Sequence, residues 1–215
     1  MGRGPGARLT SAAPGPSFLV TDPEMEHVLE LGRVLPAGDS LTTPARAAAT
    51  AASVRAAAAG DQEAFARLYA DYVRMVHAIL LGRVPRRDVD DLVQDVFITA
   101  YTRIRELRDP AAFGAWIAAI ARNRATDYLR QTREPAELPD DLAGGDPIAT
   151  DAFAVLETIR TLPEAYRETL LMRLVEGMSG AEIAERSGLT PASVRVNLHR
   201  GMKLLREKLG WHTNE

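Results

Sequence analysis

The chain has 215 residues, 46% of them hydrophobic, with 26 Lys and Arg against 29 Asp and Glu. That length holds one large domain or two small ones, and the apolar share suffices for packed cores. No cysteine is present, which excludes disulfide frameworks, thiolate metal sites and cysteine nucleophiles, and the longest apolar runs fall far short of the ~20 residues of a membrane helix.

Apolar positions recur at intervals of three and four rather than two, so the expected fold is all-α. It is expected as two small helical domains joined by a flexible acidic linker. Residues 1–59 read as an N-terminal extension, largely disordered, with room for short helices at 22–35 and 44–59. Gly and Pro follow Arg3 and Arg8 before any apolar core can form, so no signal peptide is expected. A start placed too far upstream would give the same composition.

The first domain is expected at 60–133. Asp61, after Gly60, caps a helix whose apolar stripe is Phe65, Leu68, Tyr69, Tyr72, Val73, Val76 and Leu80. A second helix over 88–105 turns Val89, Leu92, Val93, Val96, Phe97, Ala100, Tyr101 and Ile104 inward. Its other side carries Asp88, Asp91, Asp95, Ile98 and Thr102, with Gln94 beside them. Carboxylates alone would read as a solvated face, whereas Ile98 among them points to a surface that meets a partner. A turn at Arg108, Asp109 and Pro110 leads to a third helix over 112–133, whose outward column is Arg122, Thr126, Arg130 and Arg133 with Asn123 at its edge. Cations one turn apart suit a nucleic-acid backbone. Phe113 and Trp116 read as core rather than as support for an unstacked base. Arg124 falls on the apolar side, and the sequence offers no account of it.

The linker at 134–151 carries six acids, no Lys or Arg, and Pro135, Pro139, Gly144, Gly145 and Pro147. Such a stretch builds no core and can extend up to ~60 Å. It also hides the sign of the remainder: the chain is −3 overall and therefore +3 outside the linker, with basic segments at 103–133 and 191–208.

A second domain is expected at 152–210, with helices near 151–161, 163–176, 179–187 and 191–209 and a tail at 211–215. Ser179 and Glu182 form a capping box, Ser187-Gly188-Leu189 turns the chain, and Thr190 caps a helix with Pro191 at its first position. This is the grammar of a helix-turn-helix, whose second helix lies in a DNA major groove. On that helix Val194, Leu198, Leu205 and Leu209 face inward. Ala192, Val196, His199, Arg200, Lys203 and Arg206 face outward, with Ser193 and Arg195 at the margins. Small residues near the start admit base edges, Val196 suits a thymine methyl, and the cations suit phosphates. His199 has no ligand partner at metal spacing, and His27, His77 and His212 are equally isolated, so no metal site is expected. No carboxylate pair, nucleophile with base or phosphate-binding glycine loop can be assembled, so no catalytic residue, cofactor or small-molecule substrate is expected.

Three segments, in order, resemble the extracytoplasmic-function sigma factors of bacterial RNA polymerase, in the sigma-70 family. They are Asp90-Asp91-Leu92-Val93-Gln94-Asp95-Val96-Phe97; Trp116 to Asn123 with Asp127 and Arg130; and Leu162-Pro163-Glu164-Ala165-Tyr166-Arg167 with Glu176-Gly177-Met178-Ser179 and Glu182-Ile183-Ala184. The resemblance covers 60–209 and implies a cytoplasmic, non-enzymatic initiation factor that binds core polymerase. It implies contact with the clamp helices of the largest subunit through Asp90, Asp91, Gln94, Asp95, Ile98 and Thr102, and with the flap of the second subunit. It further implies a minus-ten contact through Arg122, Asn123, Thr126, Arg130 and Arg133. A minus-thirty-five contact follows through Ala192, Ser193, Arg195, Val196, His199, Arg200 and Lys203. An anti-sigma factor is the further partner implied, and the acidic linker would enter the polymerase's nucleic-acid channel. Val196 and Asn197 depart from the common pattern, so promoter preference does not transfer. An autonomous helix-turn-helix regulator, or a sigma mimic that binds an anti-sigma factor, remain as alternatives.

Overall fold

The computed structural model describes residues 44–132 and 147–211. All regular structure among them is helical: α1 (Pro44–Ala58), α2 (Gln62–Leu81), α3 (Val89–Arg103), α4 (Phe113–Gln131), α5 (Pro147–Arg160), α6 (Glu164–Leu174), α7 (Gly180–Ser187) and α8 (Pro191–Leu209). Short 3-10 turns at Arg86–Asp88, Ile104–Glu106 and Pro110–Ala112 make corners around α3. None of the described helices is long and apolar enough to cross a membrane. The expected helix at 22–35 and residues 134–146 of the acidic linker lie outside the described residues.

In the first body α2, α3 and α4 pack on one another around Leu68, Val76, Val96, Phe113 and Ile117, all fully buried. Asp61 caps α2 as expected, its carboxylate accepting from the Ala64 amide at 3.0 Å. Phe113 is core, as expected, and Tyr72 meets it edge-on at 5.1 Å between ring centroids. Trp116 is half-buried against the same core. Tyr101, expected inward, is 45% exposed. It lies at the rim of the α2–α3 contact and covers Phe65 at 4.9 Å instead of being covered. Tyr69 is exposed likewise, with its ring 4.5 Å from Phe97.

Helix α1 is the larger departure from expectation, because it is part of this body and not of an extension. Val54 and Ala57 are buried in the core, and the Thr50 hydroxyl lies 3.3 Å from the Tyr72 hydroxyl. Arg105 Nε donates to the Ala58 carbonyl at 3.0 Å. Almost every apolar residue of α1 is alanine, so its sequence marks no inward stripe, yet small side chains are what allow it to lie close on α2.

The second body comprises α5 to α8. Helix α5 begins at Pro147, inside the stretch expected as linker. Helices α6 and α8 cross where a Cβ on Gly201 would stand 3.1 Å from Leu170 Cδ1 and 3.2 Å from Tyr166 Cβ. Gly201 and Met202 therefore join Val194 and Leu205 on the buried side of α8. The helix-turn-helix has a cluster of its own, Met172, Met178, Ile183, Ala184 and Val194.

The two bodies, expected as small helical domains joined by a linker, also touch. One apolar cluster runs from Val54 through Ile79 and Ile159 to Leu171, Val175 and Leu205. A Cβ on Gly82 would come within 2.5 Å of Leu171 Cδ2, so the end of α2 lies directly on α6.

Candidate nucleic-acid and partner interfaces

The turn before α8 is built from local hydrogen bonds. Ser179 Oγ accepts from the Glu182 amide at 3.3 Å, while Glu182 Oε2 accepts from the Ser179 amide at 2.7 Å. The Ser179 amide, and after it the Ser179 hydroxyl, hold the Glu182 carboxyl below its usual pKa, because donation to the carboxylate favours the ionised form. Gly188 ends α7 at φ +71°, a conformation natural to glycine. Thr190 Oγ1 then accepts from the Ser193 amide at 3.1 Å and shares a hydrogen bond with the Ser193 hydroxyl at 2.8 Å. Ser193 is thus half-buried and occupied in the cap. Ala192, Arg195, Val196, His199, Arg200 and Lys203 are all exposed on one side of α8, with Arg206 half-buried further along.

On α4, Asn123, Thr126 and Arg130 are exposed. Arg130 Nη1 lies 4.0 Å from Asp127 Oδ1 on an open surface. Arg122 was expected to continue this column, and its side chain is only 14% exposed because it pairs with Glu176 at the end of α6. Arg133 lies outside the described residues.

On α3, Asp90, Asp91, Gln94 and Thr102 are exposed and Ile98 is 54% exposed. The Thr102 hydroxyl donates to its own helix, to the carbonyls of Ile98 and Thr99. Asp95 is half-exposed and bound by Arg124, whose Nε donates at 3.1 Å. This accounts for Arg124: its angle on α4 is the one that faces α3, and Asp95 meets it there. Asp88 accepts from the Tyr128 hydroxyl at 2.7 Å and fastens α4 to the start of α3, so it is structural. Asp90 Oδ1 stands 3.7 Å from His77 Nε2. Burial lowers the His77 pKa there, Asp90 raises it and Arg86 lowers it again.

Two family descriptions match the chain, "Sigma-70 region 2" over residues 68–134 and "Sigma-70, region 4" over residues 152–205. The ECF RNA polymerase sigma-E factor of Haemophilus influenzae is 30% identical over 171 residues, 70% of this chain and 89% of that protein. This chain belongs to the ECF RNA polymerase sigma factors.

Its role is to direct promoter recognition in transcription initiation, which decides against the regulator and mimic alternatives. Another relative, the probable RNA polymerase sigma factor RfaY of Xanthomonas campestris pv. campestris, is 35% identical over 171 residues, 71% of this chain and 42% of that protein. Among solved structures, CnrH in complex with the cytosolic domain of CnrY superposes with a TM-score of 0.56 at 28% identity, covering 77% of this chain and 99% of that one.

Three charged residues of this sigma factor escaped sequence reasoning: Arg83, Glu168 and Glu176. Arg83 is 6% exposed, donates to the Ile79 carbonyl at 3.0 Å and pairs with Glu168 of α6 at 2.6 Å. Burial disfavours its charge and Glu168 supports it. An arginine in the turn Gly82-Arg83-Val84-Pro85 carries no mark in sequence that it is buried. Glu176 stands within a family segment, yet nothing local shows that it faces Arg122.

Proposed function

We propose that this sigma factor divides its contacts among three helices. The α3 face of Asp90, Asp91, Gln94, Ile98 and Thr102 grips the clamp helices of the polymerase's largest subunit. The α4 column of Arg122, Asn123, Thr126 and Arg130, continued by Arg133, meets the minus-ten element. The exposed side of α8 meets the minus-thirty-five element, with the second body resting on the flap of the second subunit. The observation that carries this reading is α8 itself. A doubly capped turn presents Ala192, Val196, His199, Arg200 and Lys203 together to solvent, while Val194, Met202 and Leu205 anchor the opposite side.

Asp95 takes part only if it shares or exchanges Arg124, so the sharper probes of α3 are its unpaired neighbours. The complex acts in the cytoplasm, where polymerase and promoter meet. An anti-sigma factor would enter the cleft between the bodies, which Tyr72, Met75 and Ala118 line on one side and Met172, Met178 and Glu182 on the other. That chemistry suits an amphipathic helix.

Run-off transcription with purified core polymerase tests the reading. Wild-type protein should confer start-site selection. Gln94→Ala with Ile98→Glu should retain native helicity and lose core capture at least tenfold, and normal holoenzyme assembly by that variant would defeat the α3 assignment.

A further inference from the structure

Arg124 stands on the helix assigned above to DNA and faces away from the outward column. At ~100° per residue it lies ~160° around α4 from Arg122, the first cation of that column. Its side chain crosses instead to α3, where Nε donates to Asp95 Oδ2 at 3.1 Å and Nη2 donates to the same oxygen. Asp95 Oδ1 has no hydrogen bond among the described residues.

The pair is not what holds α4 to α3. Tyr128, one turn further along α4, donates to Asp88 at 2.7 Å and ties the same two helices together. Ala121 and Ala125 of α4 are fully buried in the core between these ties. With side chains 43% and 41% exposed, Arg124 and Asp95 form an ion pair in contact with solvent, a class that contributes little to folding.

What the pair does change is the carboxylate. Asp95 stands one turn beyond Asp91 on α3, and like charges at that spacing repel. Without a counter-ion Asp95 would turn among its rotamers. Two nitrogens converging on Oδ2 stop the turning and leave Oδ1 for a further donor, in the same row as the exposed Asp91, Gln94 and Ile98.

We propose that Arg124 is a positioning residue for polymerase binding. It fixes Asp95 through Oδ2, so that Oδ1 accepts from an arginine or lysine of the polymerase, and it makes no contact with DNA. The carboxylate is shared between the two cations rather than exchanged. This rests on the assignment of α3 to the polymerase made above. Two effects of Arg124 then oppose each other: its charge weakens the pull of Asp90, Asp91 and Asp95 on a basic partner, while the fixed carboxylate slows the partner's departure.

Association and dissociation of the full chain with purified core polymerase, followed by stopped flow, separate these effects. Arg124→Gln should speed dissociation about fivefold, because one side chain must now be ordered on binding, and should not slow association. Arg124→Lys restores the charge without the two-nitrogen hold. Its association should match wild type and its dissociation should stay at least twofold faster. In an Asp95→Ala background, Arg124→Gln should speed dissociation no further. Promoter binding by the assembled holoenzyme should keep its salt slope in Arg124→Gln, whereas Arg130→Gln should reduce it by about one.

Wild-type dissociation of Arg124→Gln at native helicity overturns the proposal, and so does full rescue by Arg124→Lys, which would leave charge alone at work. A salt slope lowered by about one in Arg124→Gln would make Arg124 a DNA contact and overturn it as well. If Asp95→Ala binds core normally while Gln94→Ala with Ile98→Glu does not, the α3 face stands and the role of Arg124 falls. Normal binding by both variants removes the face and the role together. If Arg124→Gln loses helicity, Arg124→Lys alone gives the dissociation reading.

Discussion

The first body buries Tyr72, Phe97 and Phe113 in a core shared by four helices, whereas the helix-turn-helix of the second gathers Met172, Met178, Ile183, Ala184 and Val194 and no aromatic ring. The helix ends differ in the opposite sense. Neither α3 nor α4 begins with a side-chain cap, and 3-10 turns lead into both. Helices α7 and α8 each begin with one, and α7 and α8 both end at left-handed glycines, Gly188 and Gly210. The contrast is confined to these helices, since Asp61 caps α2 in the first body and α6 in the second has no side-chain cap. At the helix-turn-helix, where apolar burial is scarce, local hydrogen bonds of ~1 kcal/mol each carry a larger share of the definition. A helix can therefore be held accurately by a module too small for a large core.

The contrast predicts a graded series. Phe113→Ala should cost about 3–5 kcal/mol in urea unfolding and should loosen α2, α3 and α4 together. Ile183→Ala, at the smaller cluster, should cost about 3 kcal/mol, and hydrogen exchange should speed up in α7 and early α8 while α2 and α3 stay protected. Equal loss of protection in both bodies for both variants would erase the distinction.

Arg200→Ala with Lys203→Ala should leave stability nearly unchanged. It should weaken minus-thirty-five binding and reduce the slope of log affinity against log salt by about two. An unchanged slope would mean that the exposed side of α8 is not the side that meets phosphate.

The smallest expected effect is in the capping box. The Glu182 carboxyl has a lowered pKa in the folded chain. The stability it contributes is therefore fully present above the unfolded glutamate value and is lost as pH falls through the lowered folded value. Glu182→Gln keeps an acceptor for the Ser179 amide, so it should flatten this part of the acid limb in stability measured against pH while leaving neutral stability close to wild type. An identical acid limb in the variant would show that the cap hydrogen bond does not depend on the charge.

Short-range physics was legible in the sequence. The capping box, the Thr190-Pro191 start and the outward side of α8 follow from spacings of three and four, which a helix converts into contacts without help from the rest of the chain. Contacts between helices were not. Arg124 looked misplaced until Asp95 stood opposite it, because nothing in a single helix says which neighbour its flank will meet. Tyr101 has the period of a buried residue, yet α3 projects it past the edge of α2. Helix α1 was hidden by its own alanines, which pack well and signal little. The ion pairs Arg83–Glu168 and Arg122–Glu176 join positions 85 and 54 residues apart, and isolated charges in a sequence read as solvent-facing.

Gly201 gives this molecule a tuning point behind the exposed side of α8. It follows His199 and Arg200 directly in α8, and a methyl group there would press on Leu170 and Tyr166 at 3.1–3.2 Å. The neighbours would have to yield by a few tenths of an ångström, tilting the helix on its support. A substitution at Gly201 should thus shift the exposed side of α8 as a whole while every side chain on it is left as it was.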